Sequence, residues 1–309
     1  ARPCHALVLP SSSCALGVCL LVSLRCMLRS LAIIPLVFYL ECRMEEQSYS
    51  SSFKELTDEE KTLLERQDSR LVTPFQCRKL ESEAKKYWDI FYKRNENRFF
   101  KDRHWIMREF PELEDLKSSG KSSSLLEVGC GVGNLFYPLL EEGLSLTVVA
   151  CDLSPRAIEL VKQHPMFETD KINAFQADVT SEGCFSSIEP VDIATMVFVL
   201  SAVHPEKFSN VLKNVYDVIK PGGILFFRDY GLYDMTQIRF KPGHKISENF
   251  YMRQDGTRSY FFSTAEIEEL FTACGFTVVS NQYVNRRTIN KKEEIDVPRI
   301  YVQSKFKKP

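Results

Sequence analysis

The sequence lacks an excess of charge of either sign. Its 309 residues contain 40 Lys and Arg against 41 Asp and Glu, which gives a formal net charge of -1. A chain with this balance has no general electrostatic attraction for nucleic acid, so any basic binding surface must be local. The hydrophobic content of 44% is enough for a full core in one large domain or one and a half.

The sequence also lacks paired cysteines at metal-binding spacing. Five of its ten cysteines fall within the first 42 residues, and the other five form no C-x-x-C pair. We therefore expect neither a metal site nor a disulfide framework. The body of the chain is typical of a reduced, intracellular protein.

Residues 1–43 lack an apolar run long enough to span a membrane. Two arginines and a proline interrupt the apolar stretch, whereas a spanning helix needs about 20 consecutive apolar residues. A signal peptide or membrane anchor is one interpretation of this segment. Because everything after Met44 is coherent without it, we expect an artefactual or alternative extension, with Met44 as the working start.

Beyond the extension, the sequence predicts a helical segment over residues 44–120 and an α/β domain over residues 121–309. In the second region strand-like apolar runs alternate with helical patterns, as in an open, mostly parallel sheet with helices on both faces. The runs predict seven strands. A basic and aromatic insertion, about 232–262, interrupts the alternation after the fifth strand.

Residues 124–134 are the most informative stretch. An apolar run ends at Glu127, and Gly129, Gly131 and Gly133 follow at alternate positions before helical spacing resumes, which predicts strand, tight loop and helix. Glycine permits positive φ and lets a ligand lie close to the backbone. The spacing differs from the G-x-G-x-x-G of dinucleotide sites, and Glu127 suits a cation better than a phosphate. A generic glycine turn is the alternative.

Two further carboxylates, Asp152 and Asp178, end the next two predicted strands. Ligands of an open parallel sheet bind outside the carboxyl ends of its strands, so these acids and Glu127 should face one crevice. Asp152 lies roughly 20 residues after the glycine turn, where a carboxylate can accept both ribose hydroxyls of an adenosine. Asp178 and Val179 would lie beside the adenine.

Basic and aromatic residues interleave over residues 93–105. This composition can stack on bases and neutralise phosphates. A solvated helix face over a few packed aromatics is an equal alternative.

Longer motifs resemble those of one known family. They are WDIFYKRN from Trp88, FFKDRHW from Phe99, the glycine turn, FVLSAVHP from Phe198, RDYGLYD from Arg228 and NFYMRQDGTR from Asn249. The chain from about Lys79 onward resembles the methyltransferase-like family that forms N3-methylcytidine in RNA, and most closely its branch acting on serine tRNAs. This resemblance implies a class I, Rossmann-like fold that uses S-adenosyl-L-methionine.

The resemblance also implies a cofactor site. Trp88 and Tyr92, four residues apart on one helix face, would close over the cofactor, although the residues alone leave core packing open as the alternative for both. Val197 would line the adenine pocket with Asp178 and Val179. The complete predicted set is Trp88, Tyr92, Glu127, Gly129, Gly131, Gly133, Asp152, Asp178, Val179 and Val197.

Methylation of cytosine N3 demands little acid–base chemistry. N3 has a free lone pair at neutral pH, so the reaction needs in-line positioning and exclusion of water more than a base. We predict that Asp229 accepts a hydrogen bond from the cytosine amine as positive charge builds on the ring. Phe198 and Tyr230 are candidates for stacking on an extruded base, with core packing as an equal alternative.

The family's target is position 32 of the tRNA anticodon loop, where an unpaired base leaves N3 accessible. The resemblance makes tRNA the expected partner, with serine isoacceptors and seryl-tRNA synthetase as finer expectations. We expect a cytoplasmic protein, with the nucleus as a further location. Surface solvation is the alternative for each predicted phosphate contact. These contacts are Arg94, Lys101, Arg103, Arg239, Lys241, Lys245, Arg253 and Arg258.

Two other functions stay open. A class I methyltransferase could act on a protein or small molecule, since fold does not fix substrate. A non-catalytic tRNA-binding adapter could keep the fold, although the intact acids and glycines argue against a decayed site.

Overall fold

The computed structural model describes residues 47–290 and 295–309, so the predicted extension over residues 1–43 lies outside the described chain. The helices within these ranges are α1 (Asp58–Gln67), α2 (Pro74–Ser82), α3 (Ala84–Asn95), α4 (Trp105–Glu109), α5 (Pro111–Ser119), α6 (Phe136–Glu141), α7 (Pro155–Lys162), α8 (Phe208–Val218), α9 (Met235–Ile238) and α10 (Thr264–Ala273). The strands are β1 (Ser48–Ser50), β2 (Ser123–Val128), β3 (Leu146–Asp152), β4 (Ile172–Gln176), β5 (Val191–Val197), β6 (Ile219–Tyr230), β7 (Lys245–Ser247), β8 (Phe250–Met252), β9 (Arg258–Tyr260), β10 (Thr277–Asn290) and β11 (Ile295–Lys307).

Eight of the described strands form one sheet in the order β1-β10-β11-β6-β5-β2-β3-β4. Strands β2 to β6 pair in parallel, while β11 runs antiparallel to both β6 and β10. The mostly parallel sheet is therefore confirmed. The eighth strand, β1, was not predicted, because three polar residues at a sheet edge carry no apolar alternation.

Helices cover both faces of the sheet, and β2 contributes to two apolar cores. Leu126 and Val128 belong to the core under α8 and α10, whereas Leu125 belongs to the core under α5, α6 and α7. Successive side chains of a strand point to opposite faces, so a strand buried on both sides is apolar throughout. The central strands are therefore covered on both faces, and their carboxyl ends form the base of the site.

Residues 79–94 of the predicted helical segment are divided between α2 and α3. The backbone breaks at Glu83, whose φ of -104° and ψ of 13° are not helical. α3 is fastened to the start of α7, because Asp89 accepts hydrogen bonds from Ser154 Oγ at 2.9 Å and from the Arg156 amide at 3.3 Å. This holds α3 over the carboxyl edge of the sheet, beside the glycine turn.

The predicted insertion packs into the core under α8 and α10 through Phe250, Tyr260 and Phe262. It contains α9 and a second, antiparallel sheet in the order β7-β8-β9. Ahead of the insertion, a 3₁₀ turn at Pro205–Lys207 precedes α8. No helix in the described part of the chain is long and apolar enough to cross a membrane.

Candidate active site

A cavity of about 410 Å³ opens at the carboxyl edge of the sheet, beneath α2 and α3. It brings together residues that are far apart in sequence, from the helical segment, the glycine turn and the ends of three strands. The predicted site residues on its wall are Trp88, Tyr92, Arg103, Gly129, Gly131, Asp152, Asp178, Val179, Val197, Phe198 and Arg258. We call this the main cavity.

Two glycines of the turn lie so close to other groups that a side chain would not fit. Gly129 has a φ of 63°, and a Cβ there would approach a Val199 methyl carbon to 2.5 Å. Gly131 has a φ of 57°, and its Cβ would approach the Tyr92 hydroxyl to 2.9 Å. The turn thus needs glycine for both backbone conformation and space, and it leaves the backbone exposed to a ligand.

Asp152 fixes the floor of the main cavity. One carboxylate oxygen accepts a hydrogen bond from the Gly131 amide at 2.9 Å, and the other accepts from the Ser154 amide at 2.9 Å. Burial raises the pKa of Asp152 to about 6, while these backbone amides act to lower it. The carboxylate is therefore ionised at neutral pH and keeps lone pairs for further donors such as ribose hydroxyls.

Glu127 and Gly133 lie behind the wall of the main cavity instead of on it. The Glu127 carboxylate accepts a hydrogen bond from the Phe136 amide at 3.0 Å, which ties the end of β2 to the start of α6. Burial raises its pKa to about 8, against the positive charge of Arg103 and the Phe136 amide. A cation in the cavity would favour the ionised form of Glu127, so its influence on a ligand would be electrostatic and indirect.

The end of the main cavity where the sequence predicts the adenine combines apolar and polar groups. Val179 and Val197 supply the apolar wall. Asp178 is exposed, and its carboxylate accepts hydrogen bonds from the Thr180 amide at 2.9 Å and hydroxyl at 2.8 Å. Asn214 donates to the Val179 carbonyl at 3.0 Å and so holds this loop in place.

Phe198 stands at the opposite end in a strained conformation. Its φ is 61°, in the left-handed region that bulky residues rarely adopt, and its amide donates to the Arg228 carbonyl at 2.8 Å. The ring lies 5.1 Å from that of Tyr230, between centroids. Strain of this kind persists only where the surroundings enforce it, and it is concentrated at functional sites.

Arg103, predicted from the sequence as a phosphate contact, instead lies inside the main cavity. Its guanidinium carbon is 5.2 Å from the centroid of the Phe198 ring. Its amide donates to the Asn134 carbonyl at 2.7 Å, which fastens this loop to the glycine turn. Within the described chain its guanidinium has no carboxylate or hydrogen-bond partner, so its donors are available to a ligand.

Asp229 and Tyr230 do not reach the wall of the main cavity. Asp229 is fully buried, and its carboxylate accepts hydrogen bonds from the Ser201 and Tyr230 amides, both at 2.9 Å. Burial raises its pKa to about 6. A direct contact with cytosine stays a prediction, whereas the observed bonds indicate that Asp229 shapes the backbone turn following Phe198.

Comparison with known proteins agrees with this geometry. Residues 92–281 match the family model for a methyltransferase domain. The chain is 54% identical over 256 residues to the mouse tRNA N(3)-cytidine methyltransferase METTL6, covering 82% of this chain and 90% of that protein. The chain belongs to the tRNA N(3)-cytidine methyltransferase family.

Other members and one solved structure extend the comparison. Human METTL6 is 52% identical over 257 residues, covering 82% of this chain and 90% of that protein, and zebrafish METTL2 is 39% identical over 263 residues, covering 74% of each. A methyltransferase structure from Anabaena variabilis has a TM-score of 0.54 at 14% identity, covering 73% of this chain and 95% of that one. It supports the predicted class I fold.

The chain also has a buried ion network that the sequence did not predict. Arg228 is 1% exposed and stacks between Trp105, at 4.4 Å, and Tyr301, at 4.9 Å from its guanidinium carbon. Glu109 lies 4.0 Å from it and 3.0 Å from Arg286. Burial alone would raise the pKa of Glu109, but hydrogen bonds and these two arginines lower it. No local sequence pattern joins such distant positions.

The other predicted phosphate contacts of this family member divide into two groups. Lys245 and Arg258 are buried and neutralised, the former by Asp68 at 2.6 Å and the latter by Glu81, so the structure uses their charges internally. The remaining five are accessible, four of them exposed and one half-buried. They are Arg94, Lys101, Arg239, Lys241 and, half-buried, Arg253.

The described residues of this family member include no cluster of His, Cys, Asp or Glu able to hold a metal ion. Asp152 and Asp178 on the wall of the main cavity accept backbone hydrogen bonds, as do Glu127 and Asp229 behind it.

Proposed function

We propose that this chain transfers the methyl group of S-adenosyl-L-methionine to N3 of a cytidine in tRNA. The observation that carries the proposal is a single cavity that joins the Asp152 and glycine cradle to the Phe198 and Arg103 end. Membership of the tRNA N(3)-cytidine methyltransferase family gives the reaction, and the cavity supplies a place for both reactants.

The residues present fit the cofactor. When bound, S-adenosyl-L-methionine supplies an electrophilic methyl group on a sulfonium. Asp152 would accept the ribose hydroxyls, Val179 and Val197 would flank the adenine, and Trp88 and Tyr92 would cover the cofactor and exclude water.

The acceptor end needs no general base. The N3 lone pair forms the new C–N bond as the C–S bond breaks, so positive charge passes from sulfur to the cytosine ring and no proton has to leave. Phe198 would stack on the flat face of the base. Arg103 would donate hydrogen bonds to the cytosine carbonyl oxygen, a role its unpartnered guanidinium can fill.

The finer features of the function rest on the motif resemblance. It supports position 32 of the anticodon loop as the target, serine isoacceptors as the substrates and seryl-tRNA synthetase as a partner. It also supports a cytoplasmic protein with a nuclear pool, which fractionation of cells would test.

Nucleoside mapping tests the proposal directly. Total tRNA is incubated with protein and labelled cofactor, with and without seryl-tRNA synthetase, and the modified nucleosides are mapped by mass spectrometry. We expect N3-methylcytidine at position 32 of serine tRNAs. Asp152→Asn should abolish most of the product, whereas the exposed Asp170→Asn serves as the matched control and should retain it.

Two results would contradict the proposal. Label that survives nuclease treatment and remains with protein or small molecules would favour another methyltransferase substrate. Calorimetry without any cofactor binding would favour a non-catalytic tRNA adapter.

A further inference from the structure

A second cavity, of about 400 Å³, lies in the insertion beside the base of the β10–β11 ribbon. Its titratable lining residues within the described chain are all basic, and no carboxylate lies on its wall. They are Arg239, Lys241, His244, Arg253 and Arg299. We call it the basic cavity.

Among the described residues, most of the positive charge of the basic cavity has no carboxylate partner. Arg299 forms an ion pair with the buried Asp234 at 2.9 Å, so its charge serves the fold. Arg239 and Lys241 are exposed, and their side chains have no ion pair or hydrogen bond among the described residues. Two exposed cations beside a concave wall favour an anion.

Arg253 connects the basic cavity to the main cavity. Its guanidinium lies 5.5 Å from the centroid of the Tyr230 ring and 3.5 Å from the Tyr230 hydroxyl. The Tyr230 ring also lies 5.1 Å, between centroids, from the ring of Phe198. Phe198 in turn lines the main cavity. The Phe198 and Tyr230 rings, tilted by 38° to each other, thus link the Arg253 guanidinium to the main cavity.

We propose that the basic cavity is a phosphodiester subsite, which takes the RNA backbone adjoining the cytidine whose base enters the main cavity. The inference rests on the proposed function and adds where the strand runs. An extruded base beside Phe198 would leave its neighbouring phosphates at the Tyr230 side, where Arg253, Lys241 and Arg239 supply donors and charge. A free cytidine has no such phosphates, so this subsite would help the protein to select polynucleotide.

Removal of one free cation tests the subsite. Lys241→Ala should raise the KM for tRNA about three- to tenfold and leave cofactor affinity unchanged. The slope of log KM against log salt concentration should fall by about one, as expected for one lost phosphate contact. Lys121→Ala is the matched control, because Lys121 is exposed and precedes β2 at the opposite edge of the sheet. The control should change none of these values.

Phosphate ethylation of full-length tRNA locates the contact. Random ethylation removes the charge of single phosphates, and the fraction that still binds the protein is mapped by cleavage. For the wild type and Lys121→Ala, we expect interference at phosphates adjoining the methylated cytidine. For Lys241→Ala and Arg239→Ala, interference at one or more of these phosphates should disappear.

The outcomes separate the two proposals. If the wild type methylates tRNA but both variants keep the wild-type interference pattern, the subsite is refuted and the function stands. Loss of interference only at phosphates remote from the methylated cytidine would also refute it. A wild type that methylates no tRNA would refute the proposed function itself. Competition by inorganic phosphate as strong as that by tRNA fragments would show a site for free phosphate and overturn the assignment to RNA.

Discussion

Replacement of Gly129 by alanine tests whether the glycine turn is shaped by space as well as by backbone conformation. An added Cβ would lie 2.5 Å and 2.9 Å from the two methyl carbons of Val199. Val199 is β-branched, so it has few alternative rotamers with which to move away. It also lines the main cavity next to the strained Phe198, so any shift would be transmitted to the acceptor end.

The expected cost has two parts. An alanine in the left-handed region costs about 1–2 kcal/mol, and overpacking of a buried contact adds about 1–3 kcal/mol. Gly129→Ala should therefore lower the free energy of unfolding by about 2–5 kcal/mol. Cofactor affinity should fall at least about tenfold, which corresponds to 1.4 kcal/mol.

Gly120→Ala is the control for this prediction. Gly120 has nearly the same φ, 64° against 63°, but a Cβ there would meet no atom within 4 Å. It should show only the backbone cost of about 1–2 kcal/mol and normal cofactor binding. Urea denaturation and calorimetry measure both quantities. If the two variants lost equal stability and both bound the cofactor normally, the steric reasoning about the turn would be refuted.

Three further predictions concern charged groups. The pKa of Asp152 is raised to about 6, and only its ionised form accepts both ribose hydroxyls. Cofactor affinity should therefore fall about tenfold between pH 7 and pH 5. Calorimetry should show a smaller pH dependence of this affinity for Asp152→Asn. Glu109→Ala leaves Arg228 buried without its carboxylate, so it should lower the free energy of unfolding in urea by about 3–5 kcal/mol. Glu142→Ala breaks only the surface pair with Lys117 and should lower it by less than about 1 kcal/mol. Equal losses of stability would contradict the burial argument. Asp229→Asn should reduce turnover at least about tenfold while cofactor affinity stays nearly unchanged. The reason is that an amide accepts backbone hydrogen bonds through one oxygen only, whereas both carboxylate oxygens of Asp229 accept them. Unchanged turnover in the methylation assay would remove Asp229 from the mechanism.

The sequence could predict the parts of the fold that depend on local pattern. The central strands are apolar because both faces are buried, and the alternate glycines of the turn have a conformational reason that is readable in one stretch. The same reasoning could not find β1, whose three polar residues become a strand only by pairing with β10. Nor could it place the break at Glu83 between α2 and α3, because neither glycine nor proline marks that position in the sequence.

The functions of individual arginines were the hardest to predict, because a guanidinium looks alike in sequence wherever it lies. Arg258 is neutralised by Glu81, which is 177 positions away in the chain, and Arg103 turns inward over Phe198. Arg253, by contrast, remains accessible beside the basic cavity. Which carboxylates surround a cation is decided by tertiary structure, so sequence supplies candidates and the fold selects among them.

The left-handed backbone at Phe198 sets two stability terms against each other at one position. Glycine would relieve about 1–2 kcal/mol of conformational cost there. It would also remove a ring that packs against the core under α5, α6 and α7 and beside which the base is expected to enter. Because loss of a packed aromatic ring costs about 3–5 kcal/mol, selection for heat resistance and selection for methylation should both retain phenylalanine at this position.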